Sequence, residues 1–170
     1  PGVGKTSLAR SIARATGHLA LADDSGIEVD ALGGSPGVRS ARFAGSHGDD
    51  AANNRKLLRL LGGRPPKDRR ARYRCVLALA SPTDLLALAR GAWQGRIALR
   101  PAGRGGFGYD PIFLVPRMGK TVGQLPQRVK QRFSHRAACA RRLRPVLQRM
   151  VSAASRRALA GNRPARARVV

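Results

Sequence analysis

The segment LALADDSGIEVDAL, residues 19–32, determines how this chain is interpreted. Its apolar start, Leu19 to Ala22, predicts a short strand, and the polar run Asp23 to Gly26 predicts a tight turn after it. Residues 27–31 then alternate between apolar and polar side chains, which is typical of a second short strand. Two carboxylates therefore stand side by side where an apolar strand ends.

The rest of the chain extends this pattern on both sides. Helices are predicted over residues 6–16, 49–61 and 134–150, and strands over residues 71–80, 85–93, 96–99 and 112–115. Gly17 is a plausible helix stop, a turn at residues 81–84 suggests a hairpin, and Pro145 predicts a kink in the last helix. Alternating strands and helices with a hairpin predict an α/β domain, a mixed, twisted sheet flanked by helices.

Composition narrows the possible classes of protein. The chain has 170 residues, 42% of them apolar, which is enough for one domain with a core. No apolar run approaches the roughly 20 residues that a membrane helix needs. The two cysteines, Cys75 and Cys139, are far apart and form no metal-type pair, which favours a reducing cytoplasm without a disulfide.

The net charge of +24 has two interpretations. The positive electrostatic potential of such a charge would attract nucleic acid, acidic membrane surfaces or nucleotide phosphates. The simpler interpretation is a compositional bias toward arginine at solvated positions, because the basic residues are spread along the chain. We favour the simpler one, and still expect nonspecific binding to RNA or DNA at low salt.

Four segments carry side chains suited to nucleotide chemistry. Asp23 and Asp24 could hold Mg²⁺ and activate water, although an ordinary acidic turn has the same composition. The glycine-rich stretch 103–111 offers close backbone approach, or is merely a flexible turn. Within it, Phe107 presents a stacking face and Asp110 an acceptor.

The other two segments are basic. Ser134 can cap a helix whose first turn carries His135 and Arg136, with Lys130 nearby, which would make a site for an anion or a keto oxygen. A basic surface helix start is an equal alternative. The loop at residues 33–43 contains two arginines that could face phosphates, or it is a plain surface loop.

Taken in order, these segments resemble the inosine/xanthosine triphosphate pyrophosphatase family. The similarity runs from about residue 13 to residue 150, through the Asp-Asp-Ser-Gly segment, residues 36–45, residues 106–113 and Ser134 to Ala137. The resemblance implies Mg²⁺-dependent hydrolysis of ITP, dITP or XTP to the monophosphate and pyrophosphate, which cleanses the nucleotide pool. It also implies a homodimer.

The resemblance further implies roles for individual residues. Asp24 matches the general base and a metal ligand, and Asp23 is the acidic neighbour that would complete the metal site. The residues implied to bind substrate are Ser25, Phe107, Gly108, Tyr109, Asp110, Lys130, His135 and Arg136. Among these, Phe107 would stack on the purine, and the last three would read the base and hold the nucleotide.

The beginning of the chain departs from this family. The family's first strand and its lysine loop are not found, and residues 1–10 instead resemble the phosphate-binding loop of Lon-type AAA+ ATPases. We expect residues 1–18 to be an atypical segment at a fusion or truncation junction, residues 19–151 to be the pyrophosphatase domain, and residues 152–170 to be a basic, disordered tail. An inactive truncated member, a nucleic-acid-binding module and an ATPase fragment remain alternatives.

Overall fold

A computed structural model describes residues 3–161 of the chain, with side chains described for residues 6–156. The helices are α1 (Val3–Thr16), α2 (Asp50–Leu60), α3 (Gln127–Phe133) and α4 (His135–Gly161). The strands are β1 (Ala20–Val29), β2 (Arg70–Ala80), β3 (Leu85–Ile97), β4 (Phe113–Val115) and β5 (Lys120–Thr121). The predicted α/β class, a sheet flanked by helices, is confirmed.

The five strands form one sheet in chain order, and every neighbouring pair is antiparallel. We predicted a mixed sheet, so the described part of the chain differs in this detail. Successive strands pair with one another, and the turn of four residues between β2 and β3 allows only an antiparallel hairpin. A parallel pair would need a long crossover connection.

Strand β1 corrects the prediction of two short strands around a turn. It runs unbroken through the Asp-Asp-Ser-Gly segment, paired from Ala20↔Ala80 to Val29↔Ala71. The polar residues stay extended because β2 supplies a partner at every position. Gly26 serves close packing instead of a turn, since a Cβ there would lie 2.6 Å from the carbonyl oxygen of Gly37.

The core lies mainly on one face of the sheet. Ile27, Tyr73, Trp93 and Phe113 form its centre, with Leu57 of α2 packed against them. A second cluster joins the sheet to α4 through Cys75, Leu77, Ala89, Cys139 and Leu143. Both cysteines are buried and free.

Helix α1 covers one end of the opposite face, where Ala9 and Ala13 pack against Ala80. The predicted helix over residues 6–16 is confirmed, and Gly17 follows it with a φ of +72°. No helix within residues 3–161 is long and apolar enough to span a membrane.

Helix α4 is longer than predicted. It begins at His135, continues through Pro145 and ends at Gly161, so residues 152–161 are helical where we expected disorder. The alanine-rich sequence there favours helix. Val146 and Met150 pack the preceding turns against the second cluster, which contains Cys75 and Cys139. The remainder of the predicted tail, residues 162–170, lies outside the described residues.

Candidate functional site

A cleft of about 620 Å³ opens between β1, the glycine-rich loop and the start of α4. Its volume falls in the range of small-molecule sites, about 300–1,000 Å³. All of the residues predicted to bind substrate line this cleft, namely Ser25, Phe107, Gly108, Tyr109, Asp110, Lys130, His135 and Arg136. Segments far apart in the sequence thus converge on one concave surface.

The Asp110 carboxylate in the cleft floor accepts hydrogen bonds from three groups. Its Oδ1 accepts a hydrogen bond from the Tyr73 hydroxyl at 3.0 Å, and its Oδ2 accepts one from Lys130 Nζ at 3.2 Å. The backbone N–H of Phe107 also donates to Oδ2, at 3.4 Å. Gly106 is required beside it, because a Cβ at that position would overlap the Asp110 carboxylate.

The glycine-rich loop is tied down on its outer side by α2. The N–H of Gly108 donates to Asp50 Oδ2 at 2.6 Å, and the Asn54 side-chain amide donates to the carbonyl of Gly108 at 3.0 Å. The Tyr109 hydroxyl donates to the carbonyl of Ser40 at 2.8 Å. These bonds hold a loop whose sequence also suggested a flexible turn.

His135 is held as a neutral base in the cleft wall. Burial lowers the pKa of His135 to about 4, and the neighbouring Arg136 cation acts in the same direction. The ring stacks on Tyr73 with centroids 4.7 Å apart, and Tyr73 stacks in turn on Phe113 at 4.2 Å. His135 Nδ1 is buried without a partner among the described residues, so a ligand would reach it only if the surrounding groups moved.

Arg136 lies at the mouth of the cleft and contacts two predicted site residues. Its Nε donates to Asp23 Oδ2 at 2.6 Å, and its guanidinium carbon lies 5.2 Å from the centroid of the Phe107 ring. The other carboxylate oxygen of Asp23 accepts from the Ser25 hydroxyl at 2.6 Å. The ring of Phe107 remains exposed, with 65% of the residue open to solvent.

The two adjacent carboxylates point to opposite faces of the sheet, because side chains alternate along a strand. Asp23 lies on the same face of the sheet as Ser25, whereas Asp24 lies on the other face, and neither carboxylate is among the residues that line the cleft. Among the described side chains, the Asp24 carboxylate has no hydrogen-bond or ion-pair partner. Within the same part of the chain, no three acidic, histidine or cysteine side chains form a metal cluster.

The predicted phosphate-facing loop has a structural role on its inner side. Arg39 and Arg42 are exposed and do not line the cleft. Ser40 between them is buried, and its Oγ accepts from the N–H of Ile27 at 2.9 Å and donates to the carbonyl of Gly37 at 2.6 Å. This loop therefore braces β1.

Sequence reasoning missed three supporting residues, Tyr73, Asp50 and Asn54. Tyr73 is buried, and burial together with the Asp110 carboxylate raises its pKa well above the usual value. Only 4% of the residues are aromatic, which makes Tyr73 a candidate for a special role, although its partners depend on strand register. Asp50 and Asn54 lie within the predicted helix over residues 49–61, and no local pattern marks either as a partner of the glycine-rich loop.

Comparisons with known proteins identify the family of the chain. The model of the Ham1 family matches residues 5–146. The dITP/XTP pyrophosphatase of Desulforamulus reducens is 50% identical over 142 residues, which cover 84% of this chain and 71% of the relative. That of Nitratidesulfovibrio vulgaris is 50% identical over 141 residues, covering 79% of this chain and 68% of the relative.

Two solved structures show the same architecture. The Ham1 protein of Staphylococcus aureus superposes with a TM-score of 0.77 at 42% identity, covering 82% of this chain and 72% of that one. A HAM1 protein from Coxiella burnetii gives a TM-score of 0.79 at 41% identity, covering 85% and 75%.

The resemblance of residues 1–10 to a Lon-type phosphate loop is not supported. The family match begins at residue 5, so it includes Lys5 and Thr6. Residues 3–16 form α1, which packs Ala9 and Ala13 against the sheet. Pro1 and Gly2 lie outside the described residues.

Proposed function

This chain belongs to the Ham1 family, and on that premise we propose that it hydrolyses dITP, ITP and XTP to the monophosphate and pyrophosphate with Mg²⁺. The observation that carries the proposal is the convergence of all the predicted substrate-binding residues on one cleft of about 620 Å³. Both of these relatives are named dITP/XTP pyrophosphatase, which supports the same substrate class.

Recognition of the base is assigned to the cleft wall. The exposed ring of Phe107 offers a stacking surface for a purine. Lys130 and Arg136 are cationic donors, and neutral His135 lines the cleft beside them. Donors directed at a 6-keto oxygen would remain unpaired against the 6-amino group of adenine, which costs binding energy and disfavours ATP and dATP.

We assign the hydrolytic step to Asp24 by its match to the family's general base. Its carboxylate lies on the face of β1 opposite the cleft, so the phosphates of a nucleotide bound in the cleft would have to pass the sheet edge at β1 to reach it. Its carboxylate is uncommitted among the described side chains, so it can orient a water molecule and accept its proton. Mg²⁺ commonly binds one or two carboxylates together with substrate phosphates, and the oxygen donors of Asp24 fit that pattern. When bound, the ion would neutralise charge on the phosphate oxygens and lower the pKa of bound water.

The proposal extends to the cellular role. We assign the protein to cleansing of the cytoplasmic nucleotide pool, as a homodimer, by analogy with the family. The net charge of +24 adds weak, salt-sensitive binding of nucleic acid, since phosphate contacts release counterions. This binding is secondary to the hydrolytic function.

Pyrophosphate release from dITP and XTP with Mg²⁺ tests the proposal. We expect release by the wild-type chain and a loss of at least about 100-fold in kcat for Asp24→Asn, because the amide cannot accept the proton. Asp84→Asn makes the same chemical change at the β2–β3 turn, outside the cleft, and should leave release unchanged. No release from either substrate would support the alternative of an inactive family member.

A further inference from the structure

We propose that Asp23 is a positioning residue, which holds the Arg136 guanidinium over the Phe107 ring and thereby fixes one wall of the base-binding slot. The inference rests on the proposed function, because it assigns a role within the same cleft. It differs from the sequence-based expectation, which made Asp23 a metal ligand beside Asp24.

The first argument is the engagement of both carboxylate oxygens. Oδ2 of Asp23 accepts from Arg136 Nε at 2.6 Å, and Oδ1 accepts from the Ser25 hydroxyl at 2.6 Å. The Cys75 thiol lies 3.9 Å from Oδ1 as a further, weak donor. A charge-assisted hydrogen bond of this length is among the strong ones, so the carboxylate is committed to holding side chains of the protein.

The second argument is electrostatic. Arg136 is the second residue of α4, in the first turn of a helix of 27 residues. The positive end of the helix dipole disfavours a cation there. His135 beside it is neutral and supplies no negative charge. Asp23 is the only carboxylate in an ion pair with Arg136 within the described part of the chain, so it offsets this unfavourable position.

The third argument is the placement of the Phe107 ring. The Arg136 guanidinium lies 5.2 Å from the ring centroid, within cation–π range. The backbone of Phe107 is held by Asp110, and that of Gly108 by Asp50. With the loop tied down in this way, the position of Arg136 decides how much of the ring is covered. Its side chain is 41% exposed, so without Asp23 it would be free to turn toward solvent.

The rival role for Asp23 conflicts with these contacts. A metal ion at Asp23 would share a carboxylate with a guanidinium already bonded at 2.6 Å, and the two cations would repel each other. Asp24 faces the opposite side of β1. The adjacent carboxylates are therefore suited to different tasks, one on each face of the strand.

The test separates nucleotide binding from metal binding. Trp93 is the single tryptophan of the chain and lines the cleft, so its fluorescence can report binding of inosine monophosphate. Titrations are run in EDTA on four proteins: the wild type, Asp23→Asn, Arg136→Gln and the double variant. We expect Asp23→Asn to raise the Kd about tenfold, and the double variant to bind no more weakly than Arg136→Gln alone, because coupled residues are not additive.

Two control variants complete the design. Asp23→Glu keeps the carboxylate and should recover part of the lost affinity, whereas Asp84→Asn should bind like the wild type. If Asp23→Asn has a markedly lower melting temperature than the wild type, Arg136→Lys tests the same ion pair by changing its cationic partner. That variant keeps the charge but loses the planar guanidinium, and it should weaken binding while leaving the Mg²⁺ requirement of pyrophosphate release unchanged.

The overturning results are distinct. Unchanged binding of inosine monophosphate by Asp23→Asn in EDTA, with a higher Mg²⁺ concentration needed for half-maximal pyrophosphate release, would make Asp23 a metal ligand. Additive losses in the double variant would separate Asp23 from Arg136. If the wild-type chain neither binds inosine monophosphate nor releases pyrophosphate from dITP, the proposed function itself fails.

Discussion

Lys130 Nζ and Asp110 Oδ2 form an ion pair of 3.2 Å in the cleft floor, where their side chains are only 13% and 11% exposed. The carboxylate is also bonded to Tyr73, so the pair belongs to a network that links β2, the glycine-rich loop and α3. A buried pair of this kind costs desolvation energy and depends on both partners. Its position connects the stability of the fold to the shape of the cleft.

Removing one partner of this pair should be more harmful than removing both. We expect Lys130→Met to lower the free energy of unfolding by about 3 kcal/mol, because it leaves a carboxylate without its cation in a buried site. The double variant Lys130→Met with Asp110→Asn should lose less. Urea denaturation of the three proteins measures this difference, and equal losses in the single and double variants would show that the pair does not act as a unit.

Loss of the Tyr73 hydroxyl should have a smaller effect. Tyr73→Phe keeps the ring stacked between Phe113 and His135 but removes the donor to Asp110. We expect a loss of about 1 kcal/mol in the free energy of unfolding, the usual contribution of one hydrogen bond. Tyr73→Ala, which also removes the stacked ring, should cost about 3–5 kcal/mol. Similar urea midpoints for the two variants would contradict the prediction that the stacked ring contributes more to stability than the hydroxyl.

Several of these contacts show why the sequence predicted some parts of the site and not others. Phe107, His135 and Arg136 stand in short contiguous segments, so their chemical roles can be predicted from the local sequence without knowledge of the fold. Tyr73 reaches Asp110 only because strand register brings it opposite Ile27 and Trp93. No local pattern encodes that pairing.

The errors in secondary structure have the same origin. Asp23 to Gly26 has the composition of a turn, yet full-length pairing with β2 keeps it extended. Residues 152–161 have no apolar periodicity, yet they continue a helix that is anchored further back by Val146 and Met150. In both cases tertiary contacts outweighed local preference.

Acid should destabilise the protein through His135. Burial lowers its folded-state pKa to about 4, below the value of the unfolded chain, so the unfolded state binds more protons between pH 4 and pH 6.5. The contribution of neutral His135 is therefore complete above about pH 6.5 and is lost as the pH falls toward 4, by roughly 3 kcal/mol. Urea midpoints between pH 4 and pH 8 measure it.

His135→Gln is the control for this pH dependence, because glutamine stays neutral throughout. Its stability should fall less steeply than that of the wild type between pH 6.5 and pH 4. Parallel curves for the two proteins would mean that His135 is not the group responsible.

Gly26→Ala should disturb the support of the cleft. The added Cβ would lie 2.6 Å from the carbonyl oxygen of Gly37 and 3.0 Å from Ser40 Oγ. We expect a loss of about 2 kcal/mol in the free energy of unfolding, since overpacking forces the backbone to shift. A thermal melt compares the variant with the wild type. An unchanged melting temperature would mean that the loop containing Gly37 and Ser40 can move to accommodate the added Cβ without loss of stability.

The most direct test of the central claim compares dITP with dATP at the same enzyme and Mg²⁺ concentrations. If Lys130, His135 and Arg136 recognise a 6-keto purine, dITP should yield dIMP and pyrophosphate with a kcat/KM at least about 100-fold higher than that for dATP. Equal rates for the two nucleotides, or release of inorganic phosphate instead of pyrophosphate, would contradict it.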